Sequence, residues 1–105
     1  MLSVLIVDDS AVIRRCLRSS IEENQALYVC GEAENGKVAV EKVNELRPDT
    51  VILDLQMPVM NGLEAARQVS KCAPNTVMLM YTMHCSDQLL KNAQAAGIQE
   101  SLLKD

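Results

Sequence analysis

The chain has 105 residues, ten basic against fourteen acidic for a formal net charge of -4, and 49% hydrophobic residues. That length holds one compact domain with a single core, so one domain over residues 1–105 is expected and a second does not fit. The acidic balance, with no Lys/Arg stripe, argues against direct nucleic-acid binding, and no apolar run approaches the length needed to span a bilayer.

Short apolar runs alternate with longer helix-period stretches, the pattern of a parallel sheet covered by helices. The first strand is predicted over residues 3–7. A helix follows from about Ser10, with Ile13, Cys16, Leu17 and Ile21 on its inward face. The second strand covers residues 28–33. Asn35-Gly36 opens a second helix that turns Ala39, Val43 and Leu46 inward, and Pro48 stops it before a third strand over residues 50–53. Asp54 ends that strand. After the Met57-Pro58 turn, Asn61 with Glu64 reads as a capping-box variant opening a third helix that carries Leu63, Ala66 and Val69, and Pro74-Asn75 closes it.

Residues 77–81 are a continuous apolar run, as expected of a strand buried on both faces. Ser86 caps a fourth helix with Leu89, Ala93 and Ala96 inward, Gly97 ends it, and residues 98–103 supply a fifth strand. Right-handed crossovers turn this series into a doubly wound five-stranded parallel sheet in the order 2-1-3-4-5, which binds ligands at the carboxyl ends of its strands.

The core must come from Val, Ile, Leu, Met and Ala, because Trp and Phe are absent and the aromatics are Tyr28 and Tyr81. Met57, Met60, Met78, Met80 and Met83 read as core filler in preference to a soft-metal site. Cys16, Cys30, Cys72 and Cys85 show no C-x-x-C spacing and sit mostly among apolar neighbours, as buried free thiols do. Their pattern implies a reducing, cytoplasmic compartment. The apolar start at residues 4–7 is cut by Asp8 and Asp9, too soon for a signal peptide.

Asp8 and Asp9 follow strand one, Asp54 follows strand three, Thr82 strand four and Lys104 strand five, so all five meet at one edge. Strands one and three are neighbours, which crowds three carboxylates where repulsion is severe unless a cation intervenes. Mg²⁺ suits such a cluster, since it takes oxygen ligands and is commonly held by one or two carboxylates plus phosphate oxygens. Asp54 is then placed to attack phosphorus, with the Thr82 hydroxyl and the Lys104 ammonium binding the transferred oxygens.

Over its whole length the chain resembles the receiver domain of bacterial two-component response regulators. The resemblance is carried by Leu5-Ile6-Val7-Asp8-Asp9-Ser10, by residues 54–62 (DLQMPVMNG), by Thr82 and by Leu102-Leu103-Lys104. It implies a flavodoxin-like fold and a phosphoryl group accepted on Asp54 from a sensor histidine kinase. It also implies Mg²⁺ bound directly by Asp9, Asp54 and the backbone carbonyl of Gln56, with Asp8 acting mainly through water. Thr82 and Lys104 would then shift the surface of the fourth helix and fifth strand that output proteins read. The wording around Thr82-Met83-His84 and Leu103-Lys104-Asp105 is most like NarL/LuxR-type receivers, whose output is transcriptional through a following DNA-binding domain.

His84 reads first as a solvated loop imidazole. Its place two residues after Thr82, like that of Gln56 two after Asp54, resembles family positions that tune phosphoryl lifetime, and Met83 is expected to narrow access to Asp54. Ser101 stands where many receivers place Tyr or Phe, so coupling must rely on the backbone and the fourth helix. With the sequence stopping at Asp105, the fifth helix of the family is expected to be missing. An uncovered sheet face, or the fourth helix with the fifth strand, is then expected to drive self-association.

Three other functions are weighed. An aspartate-nucleophile phosphatase of the haloacid-dehalogenase type needs an acid two residues after its nucleophile, where this chain has Gln56. A flavin-binding protein needs a phosphate-cradling first turn, whereas Asp8-Asp9-Ser10 is acidic. A receiver-like interaction scaffold independent of phosphorylation keeps the same residues without using them.

Overall fold

Along the first strand side chains alternate between two apolar environments, and residues 4–7 are buried on both sides, so this strand is central. The computed structural model describes residues 1–54, 62–82, 91–92, 95–98 and 100–103, the backbone alone at 81–82 and 100–103. In chain order the described elements are β1 (Leu2–Val7), α1 (Ala11–Glu22), β2 (Leu27–Ala33), α2 (Gly36–Leu46), β3 (Thr50–Leu53), α3 (Gly62–Cys72), β4 (Val77–Thr82) and β5 (Glu100–Leu103). The five strands are parallel and ordered β2-β1-β3-β4-β5, the predicted doubly wound arrangement.

The sheet separates two apolar layers. On one side Leu5, Val7, Val51, Leu53, Met78 and Met80 pack against Ala39 and Val43 of α2 and Ala65, Ala66 and Val69 of α3. On the other, Val4, Ile6 and Ile52 meet Ile21 of α1, with Leu17, Val29 and Leu79 half-buried beside them. Met78 and Met80 are core filler, as expected; Met57, Met60 and Met83 lie outside the described residues.

Two inward assignments change. Cys16 is exposed, so the thiol pattern is not one of uniform burial; α1 buries Ile21 and half-buries Ile13 and Leu17, a narrower stripe than its periodicity suggested. Leu46, at the last turn of α2, is 36% exposed, although the end of its side chain still lies over Gly31 of β2. Strand five begins at Glu100, and Ile98 is buried ahead of it. The expected caps Asn61 and Ser86, and the inward Leu89 and Ala93, lie outside the described residues.

Caps form where the sequence signals them. Ser10 Oγ accepts from the Ile13 N–H and Asn35 Oδ1 from the Val38 N–H, each satisfying one orphan donor of a first helical turn. At the amino edge of the sheet Asp49 Oδ2 accepts from Ser3 N at 2.8 Å and from Ser3 Oγ at 3.1 Å, while Asp49 N donates back to Ser3 Oγ at 2.9 Å. This clip ties the start of β3 to β1.

One irregularity matters for the site. The β1–β2 register runs Val4↔Val29 and then Leu5↔Gly31, so Cys30 is an extra residue bulged from β2, its thiol donating to the Val4 carbonyl at 3.4 Å. Because strand side chains alternate with period two, the bulge inverts the remainder of β2. Glu32, paired with Ile6, thereby lies on the α1 side, and Ala33, paired with Val7, joins the larger core.

Gly97 has φ of 99°, in the left-handed region, and a methyl there would overlap Ser70 Oγ, which donates to the Ala96 carbonyl at 3.0 Å. Gly97→Ala is therefore expected to lower stability by about 1–3 kcal/mol in urea unfolding. Gly31→Ala, whose new methyl meets the movable end of the Leu46 side chain at 2.9 Å, should cost clearly less.

Candidate functional site

A parallel sheet delivers the residue after each strand to the same edge, and here it delivers carboxylates. Asp54 N donates to the Val7 carbonyl at 2.9 Å and Asp8 N to the Ala33 carbonyl at 3.0 Å, so both aspartates continue the ladders that position β1 and β3. Asp8 is 1% exposed, Asp54 5%, and Asp9 is exposed to solvent. One carboxylate oxygen from each of the three lies within 4.8 Å of the others.

Two buried carboxylates so close to a third are unfavourable as a purely structural feature, since each carries a desolvation cost and repels its neighbours. The donor set is three hard oxygens without thiol or imidazole, which fits a divalent cation of the Mg²⁺ type. Asp8 Oδ1 also accepts from Ser10 N at 2.9 Å, so the acidic turn is braced against the start of α1.

The other expected site residues divide into two groups. Thr82 is the last residue of β4, pairing with Leu103 at the end of β5, and stands at the same carboxyl edge as the aspartates. Gln56, Lys104, Met83 and His84 lie outside the described residues.

Sequence reasoning passed over the charged network behind the acidic turn. Arg14 Nε donates to Glu32 Oε1 at 3.0 Å, Arg18 Nε to Glu32 Oε2 at 2.8 Å, and Arg14 Nη1 to the Asp8 carbonyl at 2.7 Å. Helical spacing could have shown that Arg14 and Arg18 share a face. Nothing in the sequence places Glu32 opposite them, because that depends on the bulge at Cys30. Burial pushes the Glu32 carboxyl up, but the Arg18 and Arg14 guanidiniums outweigh it and hold it below the usual carboxylate range.

The comparisons agree with this geometry. Residues 4–105 match the family model described as the response regulator receiver domain. The transcriptional regulatory protein YdfI of Bacillus subtilis is 44% identical over all of this chain, which covers 49% of that protein. Among solved structures, the response regulator domain of Thermotoga maritima CheB superposes with a TM-score of 0.93 at 33% identity, covering 99% of this chain and 78% of that one. The signal receiver domain of the putative response regulator NarL from Mycobacterium tuberculosis gives 0.93 at 29% identity, covering 99% and 84%. This chain spans about half or less of the length of the first curated relatives it matches.

A pH test follows from Glu32. Its folded pKa lies below its unfolded value, so its contribution is fully present above the usual carboxylate range and is lost as pH falls through the lowered folded value. Glu32→Gln should therefore be less stable than wild type at pH 7, by about 1 kcal/mol or less for a partly exposed pair, with the gap closing as pH falls below the usual carboxylate range in urea titrations.

Proposed function

We propose a function from an established premise: the chain belongs to the response regulator receiver-domain family. Within that family we read it as a phosphorelay switch over residues 1–105, one receiver domain whose parent protein carries an output domain controlling transcription. YdfI, named a transcriptional regulatory protein, supports that output.

The observation that carries the reading is the meeting of Asp8, Asp9 and Asp54 within 4.8 Å at the carboxyl edge of the sheet. Asp8, Asp9, Asp54 and the Gln56 backbone carbonyl are proposed to hold Mg²⁺. When bound, the ion supplies charge neutralisation and a template for phosphoryl oxygens. The reaction is a transfer from a phosphohistidine of a sensor kinase. A carboxylate oxygen of Asp54 forms the new O–P bond, the N–P bond breaks, and the imidazole leaves with the electron pair.

Burial of Asp54 excludes most water from the acceptor oxygen, which slows loss of the acyl phosphate by hydrolysis. The Thr82 hydroxyl and the Lys104 ammonium are assigned to the equatorial phosphoryl oxygens, where charge accumulates in the transition state. The chain is thus a switch that assists its own phosphorylation and dephosphorylation, without a separate substrate to turn over.

Incubation with acetyl phosphate and Mg²⁺ followed by intact mass spectrometry is expected to show one phosphoryl adduct, labile to mild base. The adduct should be absent without Mg²⁺ and absent from Asp54→Asn. An adduct of equal yield on Asp54→Asn, or none on wild type, would refute the assignment.

A further inference from the structure

Arg14 and Arg18 both reach Glu32, but Arg14 also touches the acidic edge. Its Nη1 donates to the Asp8 carbonyl at 2.7 Å while its Nε donates to Glu32 at 3.0 Å, and its side chain is 17% exposed. The carbonyl it holds belongs to the peptide that joins Asp8 to Asp9, whose carboxylates supply two of the three clustered oxygens.

We infer that Arg14, oriented by Glu32, is a positioning residue for the Asp8–Asp9 arm of the metal site. The inference rests on the Mg²⁺ reading above. A peptide is planar, so fixing its oxygen restrains the backbone on both sides, and with it the directions in which the two carboxylates leave the chain. Mg²⁺ demands near-octahedral geometry and tolerates misplaced ligands poorly. Residues that orient ligands without touching the metal typically carry 10- to 100-fold in metal affinity.

Glu32 fixes the guanidinium from the other side. The planar fork of an arginine can bond a carboxylate through Nε and a carbonyl through Nη1 at once, which a lysine ammonium cannot do with the same rigidity. The bulge at Cys30 is what brings Glu32 to the α1 side, so a feature of β2 reaches the acidic turn through a single side chain.

The sign of the effect separates positioning from charge. Arg14 is a cation beside a cation site, so on Coulomb grounds its removal should tighten Mg²⁺ binding. Positioning requires the opposite. Arg18 supplies the control, because it pairs with the same Glu32 from the same helix while its described bonds go to Glu32 and Glu22 and not to Asp8.

The test is calorimetric titration of the chain with MgCl₂ alone, beside thermal melts in chelator. Arg14→Met is expected to raise the Mg²⁺ dissociation constant about tenfold, and Arg18→Met to leave it within about twofold. With acetyl phosphate, Arg14→Met should need more Mg²⁺ but reach a similar rate at saturation, the split expected of lost ligand orientation. Unchanged or tighter Mg²⁺ binding in Arg14→Met, or equal weakening in Arg18→Met, overturns the inference. If Arg14→Met does not fold, Arg14→Gln is read by the same criteria. A wild-type chain that binds no Mg²⁺ sinks the metal reading itself, a result distinct from equal binding by wild type and variant.

Discussion

The register between β1 and β3 is the constraint on which the site depends. Their pairing is fixed at both ends: at the amino edge by the Ser3–Asp49 clip and at the carboxyl edge by the bond from Asp54 N to the Val7 carbonyl. Between them only four residue pairs make the ladder, Val4↔Thr50 through Val7↔Leu53. A slip of one position would turn Val51 and Leu53 away from the larger core and carry Asp54 away from Asp8, so burial and site geometry are specified together. The Ser3 N–H and then its hydroxyl hold the Asp49 carboxyl below the usual range.

The short ladder carries two buried carboxylates beside a sheet whose centre is apolar. Val4 to Val7, Val51 to Leu53, Met78 and Met80 are all buried, and no aromatic ring is among them. Each such side chain contributes about 1.5–3 kcal/mol when fully removed from water, which sets the scale against which the repulsion at Asp8, Asp9 and Asp54 is tolerated. Two methionines at the centre suit this core, since an unbranched thioether fills gaps that Phe or Trp would otherwise occupy. The apolar layers and the acidic edge are then two consequences of one topology, in which strand interiors are covered by helices and strand ends are left for chemistry.

Much of this was legible in the sequence. Alternation and turn punctuation located β1, β3 and β4 within one residue, and handedness gave a doubly wound sheet, of whose common orders the expected 2-1-3-4-5 is the one found. Asp8, Asp9 and Asp54 were legible as a cluster for the same reason: strand ends in a parallel sheet share an edge. Cys16 is exposed because helical periodicity gives the direction of a face but not its width, and α1 meets the sheet over a narrow strip near Ile21; Leu46 points toward β2 as expected but is only partly covered. The Arg14–Glu32 bridge rests on a one-residue bulge whose only trace in the sequence is Gly31 inside the strand, a signal too weak to place Glu32 opposite the arginines.

That bulge also explains how α1 is held. The helix buries Ile21 in its last half, but its first half, nearer the acidic turn, has Val12 exposed and Ile13 only half-buried. Apolar contact is therefore strongest around Leu17 and Ile21. Ion pairs link Glu32 to both arginines, and Arg14 adds an anchor at the Asp8 carbonyl nearer the start of the helix. Charge pairs of this kind add modest stability at a half-exposed site, but they are directional where dispersion is not. The start of α1 is thus placed by the same bonds that brace the acidic turn.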